Sequence, residues 1–249
     1  MLYPFILTTL AGLSTMIGTL PIFIKIKNKD TLIALACAFA SGVMVCVSIL
    51  DLIPESIKYL SKNYNGFIVI IFSFMAIFLG ILVSMILDKE IDRVNKGSNL
   101  YKVGILSMIA IILHNIPEGI VTFIVSNKDI MLGISICIAI ALHNIPEGIS
   151  IAIPIYYSTN SKFKAIIYTL ISALSELLGA VLTYLFLGRF ITDALLGILF
   201  SFIAGIMIQI SSFKLLPTGE GYNKKLSYIF FVVGFVFMII SLFINSAIG

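Results

Sequence analysis

Long apolar runs fill almost the whole of this chain and restrict the folds that it can adopt. Runs of about 20 residues, the length that an α-helix needs to cross a bilayer, recur from one end to the other. Of the 249 residues, 60% are hydrophobic and 11% are charged, whereas a soluble domain carries about 25% charged residues. The sequence therefore predicts an all-α integral membrane protein that crosses the bilayer several times.

Other classes of protein fit the sequence poorly. Strands of a membrane β-barrel are short and alternate polar with apolar residues, whereas these runs are continuous. No polar stretch is long enough for a soluble domain, so we expect residues 1–249 to form a single transmembrane domain with no nucleic-acid partner. Cys37, Cys46 and Cys137 lie inside apolar runs, which predicts buried thiols rather than disulfides. The first run is predicted to be a transmembrane helix rather than a signal peptide, because no Lys or Arg precedes it.

Eight transmembrane helices are predicted, joined by short connections. The apolar segments are residues 3–24, 31–57, 66–87, 103–125, 130–156, 163–187, 192–216 and 226–248. The longest connection is the charged stretch 88–102.

The basic residues predict the orientation of these helices, because Lys and Arg concentrate in cytoplasmic loops. If the N-terminus is outside, the outer loops carry only Lys58, Lys62, Lys128 and Arg189, and the other twelve of the 16 basic residues lie inside. We therefore expect a multi-pass protein of the cell membrane with both termini outside.

A faint repeat relates the second and seventh segments. Residues 38–55 align with 201–218 without a gap, and the identical pairs are Phe39/Phe202, Gly42/Gly205, Met44/Met207, Ser48/Ser211, Leu52/Leu215 and Pro54/Pro217. These two segments cross the membrane in opposite directions. The sequence thus predicts an inverted repeat, in which helices one to three mirror helices six to eight around helices four and five.

A heptapeptide occurs twice, on the fourth and fifth segments. His-Asn-Ile-Pro-Glu-Gly-Ile covers residues 114–120 and again 143–149, and the two copies contain both histidines of the protein. Each copy lies near the middle of its apolar run, where polar groups are costly. The two helices run in opposite directions beside the predicted symmetry axis, where transport sites lie.

The spacing within the heptapeptide suits metal binding. Residues i and i+4 share a helix face, so His114 lies beside Glu118, and His143 lies beside Glu147. Asn115 and Asn144 are within reach of the same carboxylates. A carboxylate between imidazole and amide groups could bridge two metal positions. Pro117 and Pro146 each free a backbone carbonyl and predict kinked or unwound helix that lines a cavity.

A third intramembrane carboxylate, Glu176, lies on the sixth segment among the small residues Ser172, Ser175 and Gly179. Two divalent cations would nearly balance the three glutamates, Glu118, Glu147 and Glu176. Imidazole together with carboxylate suits zinc, iron, manganese, cobalt or nickel better than magnesium or calcium.

Three alternatives use the same residues. They could form structural polar contacts between helices, or a proton relay in a proton-linked carrier of another solute. They could also belong to an intramembrane metalloenzyme, although the HExxH signature is absent and no Ser or Cys lies beside a candidate base. A transporter rather than an enzyme is therefore the leading prediction.

A second acidic pair, Asp51 and Glu55, has i, i+4 spacing near the outer end of the second helix. These residues could form a funnel that draws cations towards the site. They could equally be a solvated helix end paired with Lys58 or Lys62.

The eight segments, the outside termini and the repeated HNxPEG motif resemble the ZIP (Zrt/Irt-like) metal transporters, particularly the bacterial ZupT/GufA-like branch. The resemblance covers nearly the whole chain. It implies uptake into the cytoplasm of divalent metal, with Zn²⁺ foremost and Fe²⁺, Mn²⁺, Co²⁺ and Cd²⁺ as further candidates. It also implies an elevator-like movement of helices one, four, five and six against helices two, three, seven and eight.

The resemblance further implies a binuclear site. One metal is assigned His114, Glu118, His143 and Glu147, and the other is assigned Asn115, Glu118, Asn144, Glu147 and Glu176. The chain departs from many relatives at Lys214, which stands where they carry acids, and in the connection 88–102, which has no histidine. Both departures argue against metal sites at the inner face. Small-residue surfaces facing lipid leave room for a homodimer.

Overall fold

The computed structural model describes residues 2–24, 27–94, 97–185, 190 and 192–248, with side chains up to residue 244. Within these ranges the chain is helical and contains no β-strand. The α-helices are α1 (Leu2–Ser14), α2 (Lys29–Val47), α3 (Ile53–Leu60), α4 (Gly66–Val94), α5 (Asn99–Lys128), α6 (Ile130–Thr159), α7 (Lys162–Leu185), α8 (Asp193–Ile210) and α9 (Leu216–Ile248). A 3-10 segment (Thr15–Phe23) extends α1, and π-helical segments (Ser48–Leu52 and Ser211–Leu215) join α2 to α3 and α8 to α9.

The described residues contain seven stretches that are long and apolar enough to cross a membrane, which confirms a multi-pass helical protein. The last stretch, Asp193–Ile244, has 52 residues and would extend about 78 Å as one helix, whereas a bilayer core is about 30 Å thick. The helix is interrupted at Asn223 (φ −157°, ψ 97°). A Cβ on Gly219 would lie 2.9 Å from Ser227 Oγ, so the chain turns back here. Eight crossings remain a prediction, which this reversal favours.

The structure differs from the sequence prediction in the helix type of the first segment and in the extent of the connection 88–102. The first segment is α-helical only as far as Ser14 and continues as the tighter 3-10 helix, where Pro21 lacks the N–H of a regular helix. The charged connection 88–102 is mostly helical, because α4 continues to Val94 and Ser98 caps the start of α5. Of the loop residues used to predict orientation, Lys25, Lys96 and Arg189 lie outside the described residues.

Two segments of the predicted inverted repeat share a local distortion of the helix. The π-helical segments occupy equivalent positions of the alignment, beginning at Ser48 and Ser211 and ending at Leu52 and Leu215. A π-helical turn is rare and is found mostly as a local distortion of an α-helix. Its recurrence at the same aligned residues confirms that the second and seventh segments are structurally related.

Reciprocal glycine contacts organise the helices into two groups. Eight glycines form four pairs between facing helices. A Cβ on either glycine of a pair would overlap the backbone carbonyl of the residue three positions before the other glycine. The pairs are Gly18/Gly148, Gly119/Gly179, Gly42/Gly234 and Gly80/Gly205. The first two pairs join α1 and its 3-10 extension, α5, α6 and α7, which we call the first bundle. The other two join α2 to α9 and α4 to α8, which together with α3 form the second bundle.

The bundles pack against each other through a buried apolar core and face outwards with large apolar side chains. Core residues come from both groups, among them Met44, Ile111, Ile151 and Ile206. One face of α4 exposes the residues Phe67, Ile70, Phe74 and Phe78. Such an exposed apolar face suits contact with lipid chains rather than water.

Lys214 forms an ion pair with Asp88 on α4, a helix of the second bundle. The pair is partly buried, since the two side chains are 26% and 18% exposed. Replacing Lys214 by methionine should destabilise the protein by about 1–2 kcal/mol, because Asp88 loses its partner in a poorly solvated position. Thermal denaturation in detergent measures this change. Adding Asp88→Asn should restore most of the loss.

The exposed pair between Arg93 and Glu90, at 79% and 58% exposure, supplies the control. Arg93→Met should change the free energy of unfolding by less than about 0.5 kcal/mol, because exposed pairs contribute little. Equal effects of Lys214→Met and Arg93→Met would contradict the assigned role of the Asp88 pair.

Candidate metal centre

Helices α5 and α6 bring the two heptapeptides face to face. The ring centroids of His114 and His143 are 5.9 Å apart. Both helices continue through Pro117 and Pro146, so the backbone is not unwound at these prolines, and a kink there, which was the other expectation, stays a prediction. Neighbouring helices surround this region. A proline is tolerated in such a helix because the surrounding protein can satisfy the backbone carbonyl that it leaves unpaired. All seven predicted ligands are buried, the most exposed being Glu118 at 7%.

The two histidines converge on one carboxylate. Glu118 Oε1 lies 3.0 Å from His143 Nε2 and 3.3 Å from His114 Nε2, and Glu147 Oε1 lies 3.7 Å from His114 Nε2. Among the described residues, His114, Glu118 and His143 form the one cluster of three side chains able to share an ion. Ligand atoms of tetrahedral zinc lie about 3.4 Å apart, given metal–ligand distances of about 2.1 Å. The separations of 3.0 and 3.3 Å within the cluster and of 3.7 Å to Glu147 lie within about 0.4 Å of that value, so these side chains fit a transition-metal ion.

A second set of oxygen atoms lies in the same region without donors. Among the described residues these buried acceptors have no hydrogen-bond partner: Asn115 Oδ1, Glu118 Oε2, Asn144 Oδ1, both carboxylate oxygens of Glu147, and Glu176 Oε1. Burying an unpaired acceptor costs about 1–3 kcal/mol, and more for a charged group. Cations bound among these side chains would offset that cost, and carboxylate and amide oxygens are ligands that divalent cations accept.

The amide nitrogens are occupied, which orients the amide oxygens. Asn144 Nδ2 donates to Ala11 O (3.0 Å) and to Glu176 Oε2 (3.1 Å). Asn115 Nδ2 donates to Ser172 O at 3.2 Å. Because each NH₂ group is fixed by a neighbouring helix, each amide oxygen is left free as a ligand.

Close packing of α7 places Glu176 beside the heptapeptides. A Cβ on Gly119 would overlap the carbonyl of Glu176, and one on Gly179 would overlap the carbonyl of Ile116. Ser175 satisfies its own hydroxyl by donating to Ser172 O at 2.6 Å. The small-residue face predicted around Glu176 is therefore the surface on which α7 meets α5.

A cavity of about 250 Å³ connects the site with the acidic pair of the second segment. Glu118 and His143 line it together with Asp51, Glu55 and Lys58, and α8 and α9 close its sides. Glu55 pairs with Lys58 at 2.7 Å, whereas Lys62 pairs with Asp193 at 2.9 Å. The expected pairing with Lys58 is present for Glu55, and the funnel stays a prediction, although Asp51 and Glu55 both line the cavity.

The cavity includes polar residues that the sequence interpretation missed. Thr122 on α5 and Ser241 on α9 both line it. Thr122 follows Glu118 by four residues, so the helix period could have revealed it. Nothing in the local sequence indicates Ser241, because its position depends on how α9 packs against the first bundle.

Comparison with known proteins bears on the family. A family model described as ZIP Zinc transporter matches residues 2–99 and 89–242. The chain belongs to the ZIP zinc transporter family. Three bacterial relatives called Zinc transporter ZupT support this. The Streptococcus mutans protein is 39% identical over 252 residues, covering 96% of each chain. The Campylobacter jejuni and Clostridium perfringens proteins are each 36% identical over 274 residues, covering 95% and 97% of this chain and 94% and 95% of theirs.

Membership in the ZIP family confirms the resemblance found in the sequence. It makes this chain a multi-pass membrane protein of a transporter family, not of an enzyme family. The substrates of such transporters are metal ions. The buried histidine and carboxylate cluster supplies ligands of the type that such a substrate requires.

Proposed function

We propose that this protein imports divalent transition-metal ions, zinc first among them, into the cytoplasm through a binuclear site within the membrane. The observation that carries the proposal is the cluster of His114, Glu118 and His143 at ligand spacing, buried at the inner end of a cavity. Fe²⁺, Mn²⁺, Co²⁺ and Cd²⁺ are further candidate substrates, because imidazole and carboxylate ligands accept each of them. The relatives named as zinc transporters favour zinc.

The ligands divide between two metal positions. The first takes His114, Glu118, His143 and Glu147, whose ligand atoms lie close together. The second takes the unpaired oxygens of Asn115, Glu118, Asn144, Glu147 and Glu176. Glu118 and Glu147 each have two carboxylate oxygens and serve both positions. The three glutamates nearly balance the charge of two divalent ions.

The lining of the cavity, taken with the predicted orientation of the chain, supports access from the outside. The cavity runs from Glu118 and His143 towards Asp51, Glu55 and Lys58, and Glu147 and Glu176 are not among its lining residues. With Lys58 and Lys62 in an outer loop, the site opens outwards, and Asp51 and Glu55 form the funnel at its entrance. We propose that the first bundle moves against the second to open the inner side, because glycine pairs join helices within each bundle.

Uptake of zinc into reconstituted vesicles tests this function. The Glu118→Ala, Glu147→Ala double variant should reduce the initial rate by more than about a hundredfold, because both positions lose their shared anionic ligands. Glu90→Ala is the matched control, since this carboxylate is exposed and lies on α4, a helix that carries none of the proposed ligands. It should transport zinc at the wild-type rate. Undiminished flux through the double variant would contradict the proposal.

The same vesicles separate the alternative functions. Competition by Fe²⁺, Mn²⁺, Co²⁺ and Cd²⁺ at several pH values measures the preference for metals and any coupling to protons. A proton flux that is independent of metal would favour a proton-linked carrier of another solute. Purified protein should contain up to two metal ions per chain, and these should be lost when His114 and His143 are both replaced by alanine.

A further inference from the structure

Thr122 has a buried hydroxyl group that no hydrogen bond explains. It lies one helical turn beyond Glu118 on α5, is 0% exposed and lines the same cavity. Among the described residues its Oγ1 has no hydrogen-bond partner. A buried hydroxyl without a partner costs about 1–3 kcal/mol. Its retention beside the cavity requires a reason.

Other threonines in these helices satisfy themselves locally. Three buried threonines donate to the carbonyl located four residues earlier, at 2.8–2.9 Å: Thr8 to Pro4, Thr169 to Ala165 and Thr183 to Gly179. The same bond would take Thr122 to Glu118 O, and it is not made. The hydroxyl of Thr122 therefore remains available to a ligand in the cavity.

The repeat shows that the hydroxyl is not a general requirement of the heptapeptide. Thr122 and Ile151 occupy equivalent positions, eight residues after His114 and His143. Ile151 is fully buried in the apolar core, and Ser150 beside it donates to the carbonyl of Glu147 at 2.7 Å. An aliphatic side chain therefore packs well at this position of the repeat. Both copies border the cavity, through Glu118 and His143, but Thr122 lines it and Ile151 does not.

Asp51 supplies an anionic group to the same cavity. Glu55 forms an ion pair with Lys58, whereas Asp51 forms none within the described parts of the chain. Asp51 is the first of the cavity-lining residues on the π-helical segment and α3. Glu118 and His143 line the inner end of the cavity. The carboxylate of Asp51, the unpaired hydroxyl of Thr122 and the carboxylate of Glu118 therefore belong to residues that line one cavity.

We propose that Asp51 and Thr122 form a transient entry site in this cavity, which binds a partly hydrated divalent cation before the cation enters the two-histidine position. The inference rests on the proposed transport function. A cavity of 250 Å³ has room for an ion with several waters, each of which takes about 30 Å³. One carboxylate and one neutral oxygen bind such an ion weakly enough to release it inwards.

The test measures Zn²⁺ uptake by reconstituted Thr122→Val and Thr122→Ser variants. Valine keeps the shape and removes the hydroxyl, so KM should rise about fivefold, as expected for losing one neutral ligand, while kcat is unchanged. Serine restores the hydroxyl and should restore KM. Thr169→Val is the control, because Thr169 is equally buried but bonds to its own helix. Its KM should equal that of the wild type.

Two further measurements complete the test. The content of tightly bound zinc in purified Thr122→Val should match the wild type, since the two central positions remain intact. Asp51→Asn should also raise KM, and adding it to Thr122→Val should raise KM by less than the product of the single effects if both residues hold one ion. An unchanged KM in Thr122→Val, or a loss of zinc from the two central positions, would overturn the proposed transient entry site. Absence of zinc uptake by the wild type would instead overturn the transport function itself.

Discussion

Replacing Glu118 by glutamine is expected to remove both metal ions from the purified protein and to weaken zinc binding by more than about a hundredfold. Loss of a residue that merely supports a ligand already costs about 10–100-fold in metal affinity. Glu118 is a direct candidate, because its Oε1 lies 3.0 Å from His143 Nε2 and 3.3 Å from His114 Nε2. Its Oε2 is among the unpaired oxygens of the second position. Metal analysis after equilibrium dialysis measures both effects.

Two matched variants make the Glu118 result specific. Glu176→Gln should lose one metal and retain the other, because Glu176 is assigned only to the oxygen-rich position. Glu55→Gln should retain both metals, since Glu55 lies at the far end of the cavity and pairs with Lys58. Glutamine has nearly the volume of glutamate, so none of the three changes should disturb packing. Two tightly bound metals in Glu118→Gln would show that this residue is not the shared ligand.

Replacing Gly119 by alanine is expected to destabilise the protein by about 3 kcal/mol or more, since overpacking costs about 1–3 kcal/mol where side chains can yield. Here the added Cβ would overlap a backbone carbonyl, that of Glu176, and backbone yields less readily than a flexible side chain. Helices α5 and α7 would have to separate. Because Glu176 moves with α7, the oxygen-rich metal position should be lost at the same time. Thermal denaturation and metal analysis of one preparation measure both consequences.

Gly221→Ala is the control for this overpacking. A Cβ on Gly221 meets nothing within 4 Å, so this change should be neutral or slightly stabilising. Similar melting temperatures for Gly119→Ala and Gly221→Ala would show that the contact between α5 and α7 is not as close as described. A destabilised Gly119→Ala that still binds two metals would separate the packing role from the placement of Glu176.

Much of the fold was predictable because membrane-spanning helices must satisfy their backbone hydrogen bonds within each segment. Six identities predicted that the second and seventh segments are related, and the π-helical segments at Ser48–Leu52 and Ser211–Leu215 confirm that relation. Some helix ends were less predictable: α5 was expected to begin at residue 103 and begins at Asn99, because Ser98 caps it within the polar connection. The unwinding expected at Pro117 and Pro146 did not occur, since surrounding helices support the backbone there.

The candidate site was predictable to different degrees. His114 and Glu118 share a face through the helix period alone, and the repeat supplies the second copy with the same spacing. The separation of Glu118 Oε1 from His143 Nε2 depends instead on how α5 crosses α6. The same is true of Asn144, whose amide is oriented by Ala11 O on α1 and by Glu176 on α7.

By itself, the sequence determined the helical membrane class, the inverted repeat and the set of candidate ligands, because hydropathy and helix periodicity are local properties of the chain. The tertiary structure decided which groups share a space. It joined Asp51 and Thr122 to the cavity that ends at Glu118 and His143, and it set α7 against α5 through Gly119 and Gly179. These relations depend on contacts between helices far apart in sequence, and such contacts are set by the fit of whole surfaces rather than by any single segment.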